Sequence, residues 1–157
     1  MSDRVKLPIT FRVNGKPAPG GSKKVVGTTK TGKPLIVDAA KGNASWRRKV
    51  ANAARAQVGD ASPVEGVALK LTCVFRLIRP KSHHVGGDVE RGWIKTSAPH
   101  YPTIRPDSTK LLRAVEDALT GIIWKDDAQI CLQVVSKGYI NDANPLPGVY
   151  IRIEAFA

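Results

Sequence analysis

An α+β domain is what this sequence predicts, and three observations carry the prediction. Runs with alternating apolar residues mark strands, and two stretches with apolar residues every three or four positions mark helices. The third is length: 157 residues suffice for one hydrophobic core and are too few for two comfortable ones. The reading is one domain over residues 1–157, a sheet of about four strands packed by two helices.

Leu7, Ile9, Phe11 and Val13 alternate with Pro8, Thr10 and Arg12 and define a first strand, with Pro8 favouring an edge position. Residues 14–34 are rich in Gly, Pro, Lys and Thr and predict a basic mobile loop or hairpin, from which Leu35-Ile36-Val37 returns as a short strand. Gly20-Gly21-Ser22-Lys23 lacks the spacing of a phosphate-binding P-loop. Asn43 is the expected cap of a helix from about Ala44 to Val58, with Trp46, Val50, Ala53 and Gln57 inside and Arg48, Asn52 and Arg55 outside. Val67, Leu69, Leu71, Cys73, Phe75 and Leu77 alternate without a miss and predict a central strand.

The segment 79–104 predicts a long irregular loop that holds His83, His84 and His100 together with Arg79, Lys81, Arg91 and Lys95. No Cys or acidic residue completes a metal-ligand spacing around the histidines, and a loop this long is usually functional or flexible. Asp107 to Leu119 predicts the second helix, capped by Asp107 or Ser108 after Pro106 and stopped at Gly121. Its apolar face is Leu111, Leu112, Val115, Ala118 and Leu119; Asp107, Lys110, Arg113 and Asp117 share a polar face. Strands from about Gln129 to Tyr139 and from Val149 to Phe156 follow, joined by a turn at 141–148.

Charge narrows the partners. The net charge is +12, and residues 1–60 hold 13 Lys/Arg against 3 Asp/Glu, net +10, while residues 61–157 hold 12 against 10, net +2. The first third reads as a docking surface for a polyanion, nucleic acid above all, unless the charge serves solubility alone. Cys73 and Cys131 lie in strand-like runs without a CxxC neighbour, which argues against zinc and redox motifs and for buried thiols. The start of the chain lacks a signal-peptide core and no apolar run has the length of a membrane span, so the expectation is a cytoplasmic protein with no membrane partner.

Within this basic chain, acidic residues gather around the second helix: Asp107, Asp117, Asp126 and Asp127, beside Lys110, Arg113 and Lys125. Ion pairing would explain the gathering, and so would a divalent cation held over a phosphodiester. The pattern Arg105-Pro106-Asp107, Lys110-Leu111, Arg113, Asp117-Ala118-Leu119-Thr120-Gly121 and Asp126-Asp127-Ala128-Gln129-Ile130 resembles the signature of the RusA-type Holliday junction resolvases, small endodeoxyribonucleases of bacteria and phages. Ile9-Thr10-Phe11 with Gly15 to Pro19, Trp46-Arg47-Arg48 and Ser97-Ala98-Pro99 extend the resemblance over most of the chain.

The resemblance implies a mixed α+β fold, a homodimer, a bacterial, phage or prophage origin, and cleavage of four-way DNA junctions that depends on Mg²⁺, with Mn²⁺ able to substitute. It implies that Asp107 and Asp127 are metal-binding catalytic carboxylates, with Asp126 supporting them, and that Arg113 stands where the family usually has a catalytic Lys. Thr109 and Lys110 occupy positions where the family has Asp and Asn, which reduces three carboxylates to two unless the third comes from elsewhere. Asp117 is a poor replacement, because ten residues of helix separate it from Asp107 by about 15 Å. Thr109 offers a hydroxyl or simply caps the helix, and Lys110 offers a cation for phosphate. The basic candidates for DNA contact are Lys16, Lys23, Lys24, Lys30, Lys33, Arg47 and Arg48. Two other readings compete: a branched-DNA-binding protein of the same fold with weakened or lost catalysis, and a basic RNA-binding domain, which lacks the stacking aromatic motif such modules carry.

Overall fold

The computed structural model describes residues 3–21, 23–38 and 41–157. Its elements in chain order are β1 (Ile9–Asn14), β2 (Lys23–Thr28), β3 (Pro34–Asp38), α1 (Asn43–Val58), β4 (Leu69–Leu77), α2 (Ser108–Leu119), β5 (Ile130–Tyr139) and β6 (Gly148–Ala155). A four-stranded sheet runs in the order β1-β6-β4-β5, and β2 and β3 form a separate two-stranded hairpin. The sheet is mixed: β6 is antiparallel to both β1 and β4, whereas β5 lies parallel to β4.

Alternation along the strands builds one apolar face. Leu69, Leu71, Cys73 and Phe75 of β4 are wholly buried, and in register beside them lie Ile151 and Ile153 of β6, with Phe11 of β1 opposite Ile151. Each such side chain contributes about 1.5–3 kcal/mol on burial. Helix α2 closes this face with Leu111, Leu112, Ala114, Val115, Ala118 and Leu119, all buried. Helix α1 closes it with Trp46, Val50 and Ala54.

Several local expectations are corrected. Gly42, with φ 82°, holds the N-cap of α1, a left-handed conformation that only glycine adopts without steric cost. Asn43 is instead the first helical residue, buried, and its amide nitrogen donates to the Pro19 carbonyl at 2.7 Å. Ala54 replaces Gln57 on the inner stripe, and Gln57 is exposed. The sheet strand expected from Val67 begins at Leu69. The basic segment 14–34 is in part an ordered hairpin, with Leu35, Ile36 and Val37 on its return strand as expected. Cys131 is exposed, as the extra residue of an irregularity between Ile130 and Leu132 on the edge strand β5, while Cys73 is buried as expected. Burial pushes the Cys73 thiol well above the ordinary range, so it is unreactive. Between 79 and 104 only two single 3-10 turns and an isolated bridge, His84 with Ile94, interrupt irregular backbone.

Two parallel neighbours require a crossover, and the chain between β4 and β5 supplies it through α2. The crossover helix therefore starts at the end where β4 and β5 finish and ends where β5 begins. Two polar side chains on the helix-facing side of β5 pin it. Lys137 donates from Nζ to the Ile104 and Pro106 carbonyls at 2.7 and 2.9 Å, and Gln133 donates from Nε2 to Glu116 Oε1. Among the described residues no helix is long and apolar enough to cross a membrane.

Candidate active site

Asp107 occupies the N-cap of α2, yet its carboxylate caps no backbone amide. The cap role considered for Thr109 does not hold, since Thr109 lies inside the first turn and is exposed. The nearest cation to Asp107 is Lys110, whose Nζ stands 3.9 Å from Oδ2. Around this end opens a cleft of about 820 Å³ lined by Lys16, Lys41, Lys49, Arg105 and Lys110, with Asp107 as its single acidic residue. Five cations and one exposed carboxylate suit a phosphate that approaches with a cation beside it.

Next to that cleft, glycine lets the chain run against α2. Gly20 lies so close to α2 that a Cβ there would come within 3.2 Å of the Ala114 Cα, and its amide donates to the Lys110 carbonyl at 2.9 Å. Gly21, with φ 82°, passes beside Arg113, where a Cβ would stand 3.0 Å from Cδ. Gly20 and Gly21 thus lie along the first half of α2, and Lys16, a few residues earlier, lines the cleft with Asp107.

Asp127 stands at the other end of the same helix. Thr120, the C-cap of α2, donates its hydroxyl to Asp127 Oδ1, and the indole Nε1 of the fully buried Trp124 donates to the same oxygen at 2.9 Å. The indole also lies 3.2 Å from the Thr120 hydroxyl, so two side chains in mutual contact fix one carboxylate oxygen. Asp126 serves the backbone: it accepts from the Ala128 amide at 2.8 Å and forms a capping box with Gln129. Arg113 lies midway along α2, and its charge reaches Glu116. Asp117 pairs with Arg47 across the two helices at 4.0 Å.

Glu116 is a residue that sequence reasoning passed over. It is half-buried, held by Gln133, and burial raises its pKa, with the Asp127 and Asp117 charges pushing in the same direction. The signal in the sequence is its spacing, three residues after Arg113 and four before Thr120 on one helix. Trp124 and Thr120 were likewise missed as partners of Asp127. Beyond this end an open groove of about 480 Å³ is lined by Arg47, Arg48 and Arg55 together with Asp117 and Thr120. Lys23, Lys24, Lys30 and Lys33 all stand on the β2–β3 hairpin, exposed.

The structure therefore brings Lys16, Lys110 and Asp107 together, and Thr120, Trp124, Glu116 and Asp127 together. It does not join the two groups within one chain, since the 12 residues of α2 lie between them. That length is about 18 Å. Among the described residues no three His, Cys, Asp or Glu side chains are grouped to hold a metal ion.

A mixed four-stranded sheet with basic clefts and carboxylates at both ends of the crossover helix suits a protein that handles a polyanion. The sequence model of the family described as Endodeoxyribonuclease RusA matches residues 14–154, and the chain belongs to that family. The family is one of Holliday junction endodeoxyribonucleases, and RusA-type nucleases in general depend on a divalent metal. No curated protein matches the chain significantly.

Proposed function

We propose that the protein is a Mg²⁺-dependent, structure-selective endodeoxyribonuclease that resolves four-way junctions by paired phosphodiester hydrolysis, and that it works as a homodimer. The observation that carries this reading is the placement of Asp107 and Asp127 at opposite ends of one helix, Asp107 among the cations of its cleft and Asp127 held by the Thr120 that also lines the arginine groove. A four-way junction presents two equivalent strands, and a two-fold dimer supplies a site for each.

The same observation favours one arrangement of the dimer. Strand β5 is the open edge of the sheet, and its Leu132 and Val134 are exposed. Pairing of two β5 edges about a two-fold axis would run them antiparallel and set the end of α2 in one protomer beside its start in the other. Asp127 of one protomer and Asp107 of its partner would then share one site, which a single chain leaves as two halves. Charge does not oppose the pairing, because Lys137 is the sole charged residue of β5.

The donor set suits a hard cation only in that paired form. Asp107 is exposed and has both oxygens clear of backbone bonds, while Asp127 has Oδ1 fixed by Trp124 and Thr120 and presents Oδ2. These two carboxylates, with Glu116 beside Asp127, would hold Mg²⁺, Mn²⁺ serving in its place, and the ion would supply Lewis-acid polarisation of a phosphate and a more acidic water. Lys16, Lys110 and Arg105 would seat the phosphodiester, and Arg113 would offset negative charge as the leaving oxygen departs. Trp124 and Thr120 orient Asp127, and Asp126 holds the turn that presents it.

Cleavage of a synthetic four-way junction tests the reading. Asp107→Asn and Asp127→Asn should each abolish strand cleavage in Mg²⁺ while leaving junction binding intact or tighter, because each removes a negative charge facing phosphate. Cleavage at the wild-type rate by either variant would remove that residue from the chemistry. A rival reading, a branched-DNA binder that has lost catalysis with the Asp replaced by Thr109, is distinguished by the wild type, which would bind the junction and leave it uncut.

A further inference from the structure

We propose that the β2–β3 hairpin is an arm that enters the major groove of the bound DNA, its lysines on the phosphate walls and its aliphatic side chains on the groove floor. This rests on the reading of the protein as a DNA endonuclease and goes beyond it by assigning a second contact surface, apolar as well as basic.

Aliphatic side chains stand in water along the whole arm. Val25 is 63% exposed, Val26 50%, Leu35 48% and Ile36 57%. The register pairs Val25 with Ile36, and Lys24 with Val37. Leu35 follows the opposite face from Ile36, and Val26 is the extra residue of a bulge between Val25 and Gly27. Both faces of the ribbon are therefore apolar and uncovered, whereas the main sheet buries one apolar face in a packed core. A two-stranded hairpin with no layer beneath it is marginal alone, and an apolar surface of this kind marks an interaction site.

Charge selects the occupant. From Lys23 to Asp38 the arm carries four lysines, Lys23, Lys24, Lys30 and Lys33, against one acidic residue, Asp38 at its base. A second copy of the same arm would set two net-positive arms against each other, and an apolar protein surface would offer their charge no counterpart. A DNA groove answers both demands, with phosphates on its rims and thymine methyls and base edges on its floor. Size agrees: two strands about 4.8 Å apart make a ribbon that the major groove, about 12 Å wide, admits. The tip is tied in advance. The Thr29 amide donates to the Lys33 carbonyl at 2.8 Å, the Gly32 amide to the Thr29 carbonyl at 2.9 Å, and the Lys33 amide to the Thr29 hydroxyl at 3.1 Å. A preformed tip loses less conformational freedom on binding than a loose loop.

The test separates apolar from ionic contact. Val25, Val26, Leu35 and Ile36 are replaced together by Thr, which keeps strand propensity and charge. Affinity for a four-way junction, its salt dependence and dimethyl sulfate protection of guanine N7, which lies in the major groove, are then measured. The expected result is binding weaker by about tenfold or more, loss of the arm's N7 protection, and an unchanged slope of log affinity against log salt. Replacing Lys23, Lys24, Lys30 and Lys33 by Gln should instead reduce that slope by about 3.6, at about 0.9 per phosphate. A conservative pair, Val25→Ile with Ile36→Leu, keeps the arm apolar and should retain the wild-type footprint; its loss there would overturn the role of apolarity. Wild-type affinity and protection in the Thr variant would overturn the proposal. So would a change in the sedimentation of the DNA-free protein caused by the Thr substitutions, since a second copy would then be covering the arm. Failure of the wild type to bind junction DNA at any salt would overturn the endonuclease reading itself, and the arm with it.

Discussion

Mixing two inactive variants turns the helix geometry into a number. Asp107 and Asp127 are separated by the length of α2, about 18 Å, whereas two carboxylates that share one hard cation must both lie within about 2.0–2.6 Å of it. If each site takes Asp107 from one protomer and Asp127 from its partner, a dimer of Asp107→Asn with Asp127→Asn contains one site with both carboxylates replaced and one with both intact. Random reassortment of equal amounts makes about half of the dimers mixed, so about one quarter of all sites are complete. The mixture should then nick a junction at about a quarter of the wild-type initial rate, although each parent is inactive. Paired cuts by a single dimer should be absent, because no mixed dimer has two complete sites. The assay is refolding or long co-incubation of the two variants, followed by initial rates on an end-labelled junction, with nicked and fully resolved products separated. No activity in a mixture shown to have exchanged subunits would refute the shared site, for sites wholly within one chain would each carry one defect.

Trp124→Phe removes the buried indole donor from Asp127 and should cost about 1.5–3 kcal/mol of stability from the bond to a charged acceptor alone; cleavage should fall by about 10²-fold with junction affinity unchanged, and cleavage at the wild-type rate would show that Trp124 does not position the carboxylate. Burial raises the pKa of Glu116 above its unfolded value, so the folded protein binds that proton more tightly, and stability contributed by this group is present at low pH and lost as pH rises from the unfolded value of 4.5 through the higher folded one. Glu116→Gln keeps an acceptor for Gln133 and should raise Tm at neutral pH while flattening the fall in Tm over that window; an unchanged pH profile would refute it. Thiol titration with an aromatic disulfide should modify Cys131 alone in the native protein and Cys73 as well only in denaturant, and rapid native modification of both would contradict the burial of Cys73.

What the sequence by itself determined was local and periodic. The alternation from Leu69 to Phe75 has one apolar face whatever lies beside it, and the spacing of Leu111, Val115, Ala118 and Leu119 allows only one side of α2 to be buried. The Asp-Asp-Ala-Gln block and the Arg-Pro-Asp turn were legible as chemistry for the same reason, since each is a short contiguous motif. Even the hairpin showed in composition, through its lysines, glycines and the run Leu35-Ile36-Val37.

Tertiary structure decided everything that depends on a distant neighbour. The parallel pairing of β5 with β4 sets the direction of α2, and with it the separation of Asp107 from Asp127, yet no residue in either strand encodes that choice locally. Cys131 alternates as Cys73 does but falls at a register irregularity on the edge strand, so one thiol is exposed and the other buried. Glu116 is pinned by Gln133, 17 residues away, and Asn43 lost its expected cap role to a glycine because the Pro19 carbonyl draws it inward. Periodicity reports which side of a segment is apolar; which segment covers it, and whether a strand has a neighbour on both edges, depends on where the rest of the chain packs.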